Sequence, residues 1–194
     1  KPISGINAHP KATKCCMCAR AFCLRRARRH LTRPRAAELP VNEQTIVVRV
    51  KSVTYEADRV NAYDLRLPDG GELPPFKAGA HIDVRMGAGA TRSFSLVNPE
   101  HERHRYVIGV ALDEASRGGS RYMHDRVRAG DRLMILPPVN NFALVEDAPH
   151  TVLIAGGIGV APILCMARRL AALGRSWELH YAARTRGRSE EHTS

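Results

Sequence analysis

The sequence predicts two successive folding patterns, a small antiparallel β-barrel followed by the beginning of an α/β unit. Six short apolar runs lie between residues 46 and 136, separated by turns rich in glycine and proline, which is typical of a barrel. After residue 150 the order is strand, glycine-rich turn, helix and strand, which is typical of an α/β unit. A chain of 194 residues is long enough for both parts.

The first 43 residues differ from the rest in charge and in cysteine content. Residues 1–37 carry ten of the 30 Lys and Arg residues and none of the 19 acidic residues, so nearly all of the formal net charge of +11 lies in this arm. We expect an arm that is disordered or weakly helical, or no native part of the protein. Its cysteines are too closely spaced for two separate ligand pairs, so no metal site is predicted: Cys15, Cys16, Cys18 and Cys23.

The barrel prediction depends on six runs and one helical insertion. A helix is predicted from Ser120 to Val127, led by Gly118 and Gly119. Glycines and a serine at a helix N-terminus expose backbone N–H groups, so this turn is a predicted anion site. The predicted strands are Ile46–Val53, Val60–Leu67, His81–Met86, Ser93–Val97, Tyr106–Leu112 and Leu133–Leu136.

The second predicted anion site follows the apolar run Thr151–Ala155, which we interpret as a central strand buried on both faces. A glycine-rich turn then leads into a helix, and a second strand is predicted at Trp177–Ala182. A tight turn without any ligand remains an alternative. The turn contains Gly156, Gly157, Gly159 and Pro162, and the helix should bury Ile163, Cys165, Met166, Ala167 and Leu170.

Four ordered motifs resemble the ferredoxin-reductase-like family, in its phthalate dioxygenase reductase and vanillate demethylase reductase branch. They are Arg-Ser-Phe-Ser at 92–95, Arg-Gly-Gly-Ser at 117–120, Asn-Phe-Ala-Leu at 141–144 with Asn140, and Gly-Gly-Ile-Gly at 156–159 followed by Pro162. The resemblance runs from about residue 44 to residue 186. It implies a Greek-key, FMN-binding barrel at residues 44–148 and a truncated Rossmann-like NAD-binding domain at residues 149–187.

The resemblance also assigns roles to individual residues. Arg92 would pair with the flavin phosphate, Phe94 would pack against the flavin, and Ser95 would lie near its reactive edge. Phe94 stands where tyrosine is commoner, so a phenolic hydrogen bond would be lost. Gly118, Gly119 and Ser120 would cradle the phosphate, and Gly156, Gly157, Ile158, Gly159 and Pro162 would line the nicotinamide side. Since the cofactor carries the chemistry, no catalytic acid, base or nucleophile and no metal ligand is expected.

The implied function is electron transfer. NADH or NADPH would reduce FMN, and electrons would pass to a [2Fe–2S] centre and then to the oxygenase component of an aromatic oxygenase or demethylase. The cluster domain is not in this chain, which we expect to be a fragment incompetent for full turnover, with a non-native tail at residues 188–194. Arg184 and Arg186 could accept a 2′-phosphate. Two alternatives stay open: an FAD-dependent reductase with a haem or ferredoxin partner, and nucleic-acid binding through the basic arm.

The absence of a long apolar run predicts no membrane span, and the first 40 residues lack the continuous apolar stretch of a secretory signal. We therefore expect a cytoplasmic, monomeric protein that binds neither membrane nor nucleic acid.

Overall fold

A computed structural model of the protein describes residues 45–113 and 118–183. The predictions for the arm at residues 1–43, for Arg117 in the anion turn, and for residues 184–194 lie outside these ranges. All described residues belong to one compact unit.

Six antiparallel strands form a curled sheet in the described part of the chain. The sheet closes because Leu96, just after the fourth strand, pairs with Ile108 of the fifth, and the Val97 N–H donates to the Val107 carbonyl at 2.9 Å. This closure confirms the predicted barrel. The strands are β1 (Ile46–Ala57), β2 (Val60–Arg66), β3 (His81–Arg85), β4 (Thr91–Ser95), β5 (Tyr106–Ala111) and β6 (Arg132–Ile135), in the spatial order β4-β3-β6-β1-β2-β5, and helix α1 (Gly119–Arg126) joins β5 to β6.

The barrel core comes from the alternation of side chains along each strand. In β3, Ile82 and Val84 are fully buried while their neighbours are half-exposed, and β5 shows the same pattern. A tyrosine closes one end of the core, because the buried Tyr106 hydroxyl donates to the Pro74 carbonyl at 2.5 Å. Burial raises the pKa of Tyr106, so the hydroxyl stays protonated and keeps this hydrogen bond.

The predicted α/β unit follows the barrel. Strand β7 (Thr151–Gly156) leads through a single 3₁₀ turn into helix α2 (Val160–Ala172), and β8 (Trp177–Ala182) returns parallel to β7. The helix ends at Ala172, two residues before Gly174, whose N–H donates to the Ala171 carbonyl at 3.0 Å. The predicted apolar helix face is confirmed, since its five residues are all buried: Ile163, Cys165, Met166, Ala167 and Leu170.

Two sequence predictions about strands were wrong in detail. β7 is not buried on both faces, because Val152 is 50% exposed and Ile154 is 74% exposed. Among the described residues β7 pairs only with β8, and α2 covers one face of that pair, so only Leu153 and Ala155 of β7 are buried. Strand β4 begins two residues earlier than predicted, because Thr91 and Arg92 already pair with β3. It also ends two residues earlier, because after Ser95 the chain turns toward β5.

No helix within the described residues is long and apolar enough to cross a membrane.

Candidate functional site

The first predicted anion site forms where α1 meets β4. Gly118 precedes the helix with a φ of 93°, a left-handed conformation that glycine adopts without steric cost. A Cβ on Gly119 would lie 2.7 Å from Cγ and 2.9 Å from Nε of Arg92, so the arginine side chain lies directly against the turn. The N-terminal amides of α1 and one guanidinium therefore lie at the same place, as an anion would require. We call Arg92, Gly118, Gly119 and Ser120 the anion seat.

Ser120 completes the anion seat through its backbone position. Its hydroxyl accepts a hydrogen bond from the Asp113 N–H at 3.1 Å, which ties the start of α1 to the end of β5. Since this hydroxyl already has a partner, its backbone N–H and the helix N-terminus are what Ser120 offers most directly to an anion. The Arg92 guanidinium in turn donates to the Thr91 carbonyl at 2.7 Å, which orients it along the strand.

Ser95 and Phe94 lie on opposite faces of β4. Phe94 is paired with the buried Ile82 and packs against the barrel core. Ser95 lines a cavity of about 320 Å³ on the outer face of the strand, where the barrel meets α2. Ser95 and Pro162 line the same cavity, and Phe94 does not line that space. We call it the serine cavity; its lining residues are Gly79, His81, Ser93, Ser95, Asn141, Phe142 and Pro162.

The glycine turn between β7 and α2 is open. A Cβ on Gly157 or Gly159 would meet no atom within 4 Å, so a ligand has room to approach the backbone there. Ile158 lies on the other side of the turn and reaches β5, where its Cδ1 is 3.5 Å from the position of a Cβ on Gly109. Ile158 also lines a second cavity of about 490 Å³ between the barrel and α2. The predicted nucleotide turn therefore borders the barrel through Ile158.

Polar contacts of α2 with the barrel set the position of this turn. The Arg168 guanidinium donates to the Val97 carbonyl at 2.7 Å, and the Cys165 thiol contacts the Asn98 carbonyl at 3.2 Å. Burial, followed by the nearby Glu100 carboxylate, raises the pKa of Cys165 to about 11. The thiol is thus protonated at neutral pH and acts as a packing and hydrogen-bonding group, as the sequence suggested for a core cysteine.

Arg169 joins three segments. It makes a bidentate contact with Glu146 at 2.9 and 2.8 Å and lies 3.3 Å from Glu100 on the loop between β4 and β5. The second oxygen of Glu100 accepts the Ala78 N–H at 3.0 Å, which links the helix to the edge of the serine cavity. Nothing in the local sequence pattern marks Arg169 as a residue that joins segments, since its partners lie 23 and 69 positions away.

The segment after β6 is fastened to the barrel by the motif at Asn140. The Asn140 amide donates to the Ala78 carbonyl at 3.0 Å, and its side-chain oxygen accepts the Phe142 N–H at 3.0 Å. These bonds hold the Phe142 carbonyl so close to Gly79 that a Cβ there would lie 1.8 Å from it. The motif therefore shapes one wall of the serine cavity.

The loop between β4 and β5 contains charge pairs, among them Arg105 and Glu102 with 2.7 Å between their side chains. His101 and His104 are exposed on this loop, and no group of three or more metal-ligating side chains occurs within residues 45–113 and 118–183. Burial alone would raise the pKa of Asp64, but hydrogen bonds from Arg66 at 2.9 Å and Arg105 at 3.3 Å bring it below its ordinary value. Asp64 is therefore a structural anion that orders the barrel beside the larger cavity.

The sequence and the fold of the chain are similar to those of known proteins. The sequence is 59% identical over 140 residues to tetrachlorobenzoquinone reductase of Sphingobium chlorophenolicum, and 50% identical over 140 residues to vanillate O-demethylase oxidoreductase of Pseudomonas putida. Each match covers 72% of this chain, and 43% and 44% of the two relatives. The solved structure of phthalate dioxygenase reductase matches with a TM-score of 0.72 and 39% identity, covering 74% of this chain and 45% of that one.

The chain belongs to the phthalate dioxygenase reductase and vanillate demethylase reductase branch of the ferredoxin-reductase-like family. The family was thus predicted correctly from the four motifs. No family model matches the sequence. The chain spans less than half the length of the relatives named here.

The two candidate sites combine residues of the barrel with residues of its helix α1 and of the α/β unit. The anion seat is built by β4 and α1, and the serine cavity is shared by β3, β4, the Asn140 segment and α2. The family resemblance supplied Arg92, Ser95, the glycines and Pro162. It did not supply Asn98, which is 2% exposed and accepts the Val107 N–H at 2.8 Å while its amide points at three carbonyls of its own loop.

Proposed function

We propose that this chain is the flavin- and nucleotide-binding part of a reductase that passes electrons from a reduced pyridine nucleotide through FMN toward a [2Fe–2S] centre. The observation that carries this proposal is the direct contact between Arg92 and the Gly118-Gly119 turn, because it lets one bound phosphate meet both. The relatives are named as reductase and oxidoreductase components, and the solved neighbour as a module for electron transfer from pyridine nucleotides to [2Fe–2S].

The phosphate group of FMN matches the anion seat in charge and in hydrogen-bonding groups. A phosphate monoester carries up to two negative charges and presents several acceptor oxygens, which matches one forked guanidinium and the amides of a helix N-terminus. Arg92, Gly118, Gly119 and Ser120 would hold this phosphate. Ser95 lies further along the same strand and would approach the ring system. When bound, FMN accepts an electron pair and releases electrons singly, and the protein supplies position and charge around it.

The glycine turn serves the second ligand. Gly156, Gly157 and Gly159 leave the backbone at the start of α2 open, and Ile158 and Pro162 border the two cavities between this helix and the barrel. We propose that the nicotinamide end of NADH or NADPH enters here, beside Ser95. The contacts of Arg168 and Arg169 would then fix the distance between the two ligands, because they dock the same helix onto the loop after β4.

The partner we propose is the oxygenase component of an aromatic oxygenase or demethylase system, since relatives carry the names phenoxybenzoate dioxygenase subunit beta and vanillate O-demethylase oxidoreductase. The cluster domain would belong to the part of such reductases that this chain does not match. The proposal includes a cytoplasmic monomer that binds no nucleic acid, which sedimentation and a DNA-binding titration at two salt concentrations would test.

Flavin binding by the purified chain tests the proposal. We expect FMN to bind with quenching of its fluorescence and with a shifted visible spectrum. Arg92→Gln should weaken FMN binding by about ten- to a hundredfold, the range for a charged hydrogen bond. Gly119→Ala should weaken it as well, because the new methyl group displaces the arginine side chain.

Gly130→Ala is the matched control for Gly119→Ala, since that glycine has open space around it and lies outside the anion seat. FMN affinity that is the same in all three variants and the parent would contradict the proposal. FAD serves as the competing ligand. If FAD bound at least as tightly as FMN, and FAD were the flavin extracted from the cells, the FAD-dependent alternative would replace the FMN assignment.

A further inference from the structure

One histidine stands in the serine cavity although no sequence motif marks it. The β3–β4 register pairs His81 directly with Ser95. Directly paired residues of antiparallel strands project their side chains to the same face, with Cβ atoms about 4.5 to 5.5 Å apart. His81 and Ser95 both line the serine cavity, together with Pro162 at the start of α2. An imidazole and a serine hydroxyl therefore border one space.

The backbone of His81 is fixed on both sides. Its N–H donates to the Val139 carbonyl at 2.9 Å, and its carbonyl accepts the Val139 N–H at 2.9 Å. The preceding residue is equally constrained, because the Ala80 carbonyl accepts the Leu96 N–H at 2.9 Å. The direction in which the side chain leaves such a backbone is set before any ligand arrives, which lowers the entropy cost of a contact with one.

The His81 ring has no structural partner in the described part of the chain. It makes no hydrogen bond or ion pair there, although the residue is half-buried. His124 shows the contrasting situation, since its Nε2 lies 2.9 Å from the Val110 carbonyl and its Nδ1 lies 3.4 Å from the Asn61 amide. A neutral imidazole has one donor and one acceptor, so the half-buried His81 ring offers both to whatever fills the cavity.

We propose that His81 is a further ligand-binding residue of this site, whose ring hydrogen-bonds to the polar edge of a planar heteroaromatic ring in the serine cavity. The inference rests on the proposed function, which brings two such rings to the site, the flavin and the nicotinamide. Both rings carry carbonyl and nitrogen groups at their edges, which match an imidazole and a serine hydroxyl. Phe142 and Pro162 supply apolar surface of the same cavity.

The experiment measures the affinity of the purified chain for FMN and, separately, for nicotinamide mononucleotide. The variants are His81→Ala and His81→Gln, with His104→Ala as the control because His104 is an exposed histidine on the loop between β4 and β5. His81→Ala should weaken binding of the ligand whose ring occupies the cavity by about three- to tenfold, as for one hydrogen bond. His81→Gln should recover most of this loss, since its amide also donates and accepts, and His104→Ala should match the parent.

A second readout uses the unmodified chain. The imidazole resonances of His81, assigned by their absence in His81→Gln, should shift on addition of FMN if the flavin ring occupies the cavity, and on addition of nicotinamide mononucleotide if the nicotinamide does. The inference is overturned if neither ligand shifts these resonances and His81→Ala binds both as the parent does. If FMN binding still responds to Gly119→Ala in that case, the proposed function survives and only the role of His81 fails. If the parent binds neither ligand, both proposals fail.

Discussion

Gly79 offers the most direct test of how the barrel and the segment after β6 fit together. Its φ is +96°, and a Cβ there would lie 1.8 Å from the Phe142 carbonyl oxygen and 2.8 Å from Cε of Met166. Gly130 has nearly the same backbone conformation, with a φ of +93°, but a Cβ there would meet nothing within 4 Å. The two Gly→Ala variants therefore share the conformational cost and differ in the steric one.

The expected magnitudes follow from these two terms. The left-handed conformation costs a residue with a Cβ about 1 to 2 kcal/mol. Reduced freedom of the unfolded chain returns about 0.4 to 1 kcal/mol, so Gly130→Ala should destabilise by about 1 kcal/mol. Gly79→Ala must also push the Phe142 backbone carbonyl aside, and overpacking of this kind adds about 1 to 3 kcal/mol. We expect a difference of about 2 kcal/mol between the variants.

Urea unfolding followed by circular dichroism measures this difference in the free energy of unfolding. Thermal unfolding is a second measurement of it. For a chain of this size, 1 kcal/mol corresponds to about 2 to 4 °C in Tm, so Gly79→Ala should melt about 4 to 8 °C below Gly130→Ala. Equal destabilisation of the two variants would refute the close approach of Phe142 to Gly79. It would also remove the argument that the Asn140 motif shapes the serine cavity.

Three further changes test the contacts that seat α2 and shape the loop before β5. Arg169→Ala deprives two carboxylates, Glu146 and Glu100, of their guanidinium partner, whereas Arg168→Ala loses a single hydrogen bond to a carbonyl. The urea midpoint of Arg169→Ala should therefore fall further than that of Arg168→Ala. Equal midpoints would argue against the contact of Arg169 with both carboxylates. Asn98→Ala leaves a buried backbone N–H without its acceptor and should cost about 2 to 3 kcal/mol in urea unfolding, whereas a loss under 1 kcal/mol would mean that water replaces the side chain. A hydrogen bond from Arg105 at 2.7 Å lowers the pKa of Glu102 in the folded state, so this carboxylate contributes stability above its unfolded pKa and loses it as the pH falls through its folded pKa. Tm measured from about pH 6 down to about pH 3 should therefore fall less steeply in Glu102→Gln than in the parent, and parallel curves would contradict this.

As a binding site the anion seat stays a prediction, but its place at the start of a helix could be predicted from sequence because the pattern is local. A glycine pair and a serine at the start of a helix expose amides whatever the rest of the fold does, and an arginine on the preceding strand motif is a common partner for phosphate. The sequence could not show that Arg92 lies against Gly119, since that contact depends on how β4 and α1 are brought together by the closed barrel. The family resemblance supplied this pairing.

The parts that the sequence did not reveal depend on long-range packing. Val152 and Ile154 belong to the apolar run Thr151–Ala155. Because this run is continuous rather than alternating, it predicted a strand that is covered on both faces. The exposure of both side chains shows that hydrophobicity reports what a strand can bury and not what is present to cover it. Likewise, a lone histidine in a strand has no local signature, and only the register of β3 against β4 places His81 beside Ser95.

The position of α2 links these observations into one physical argument. The helix begins at the open glycine turn, and its middle residues bind the loop that follows β4 through Arg168, Cys165 and Arg169. Strand β4 carries Arg92 near one end and Ser95 at the other, so this strand fixes the distance from the anion seat to the serine cavity. The loop after β4 holds α2 and so fixes the distance from the serine cavity to the glycine turn. Two ligands bound at the seat and at the turn would therefore meet at a separation set by one strand and one helix, which is what electron transfer between their rings requires.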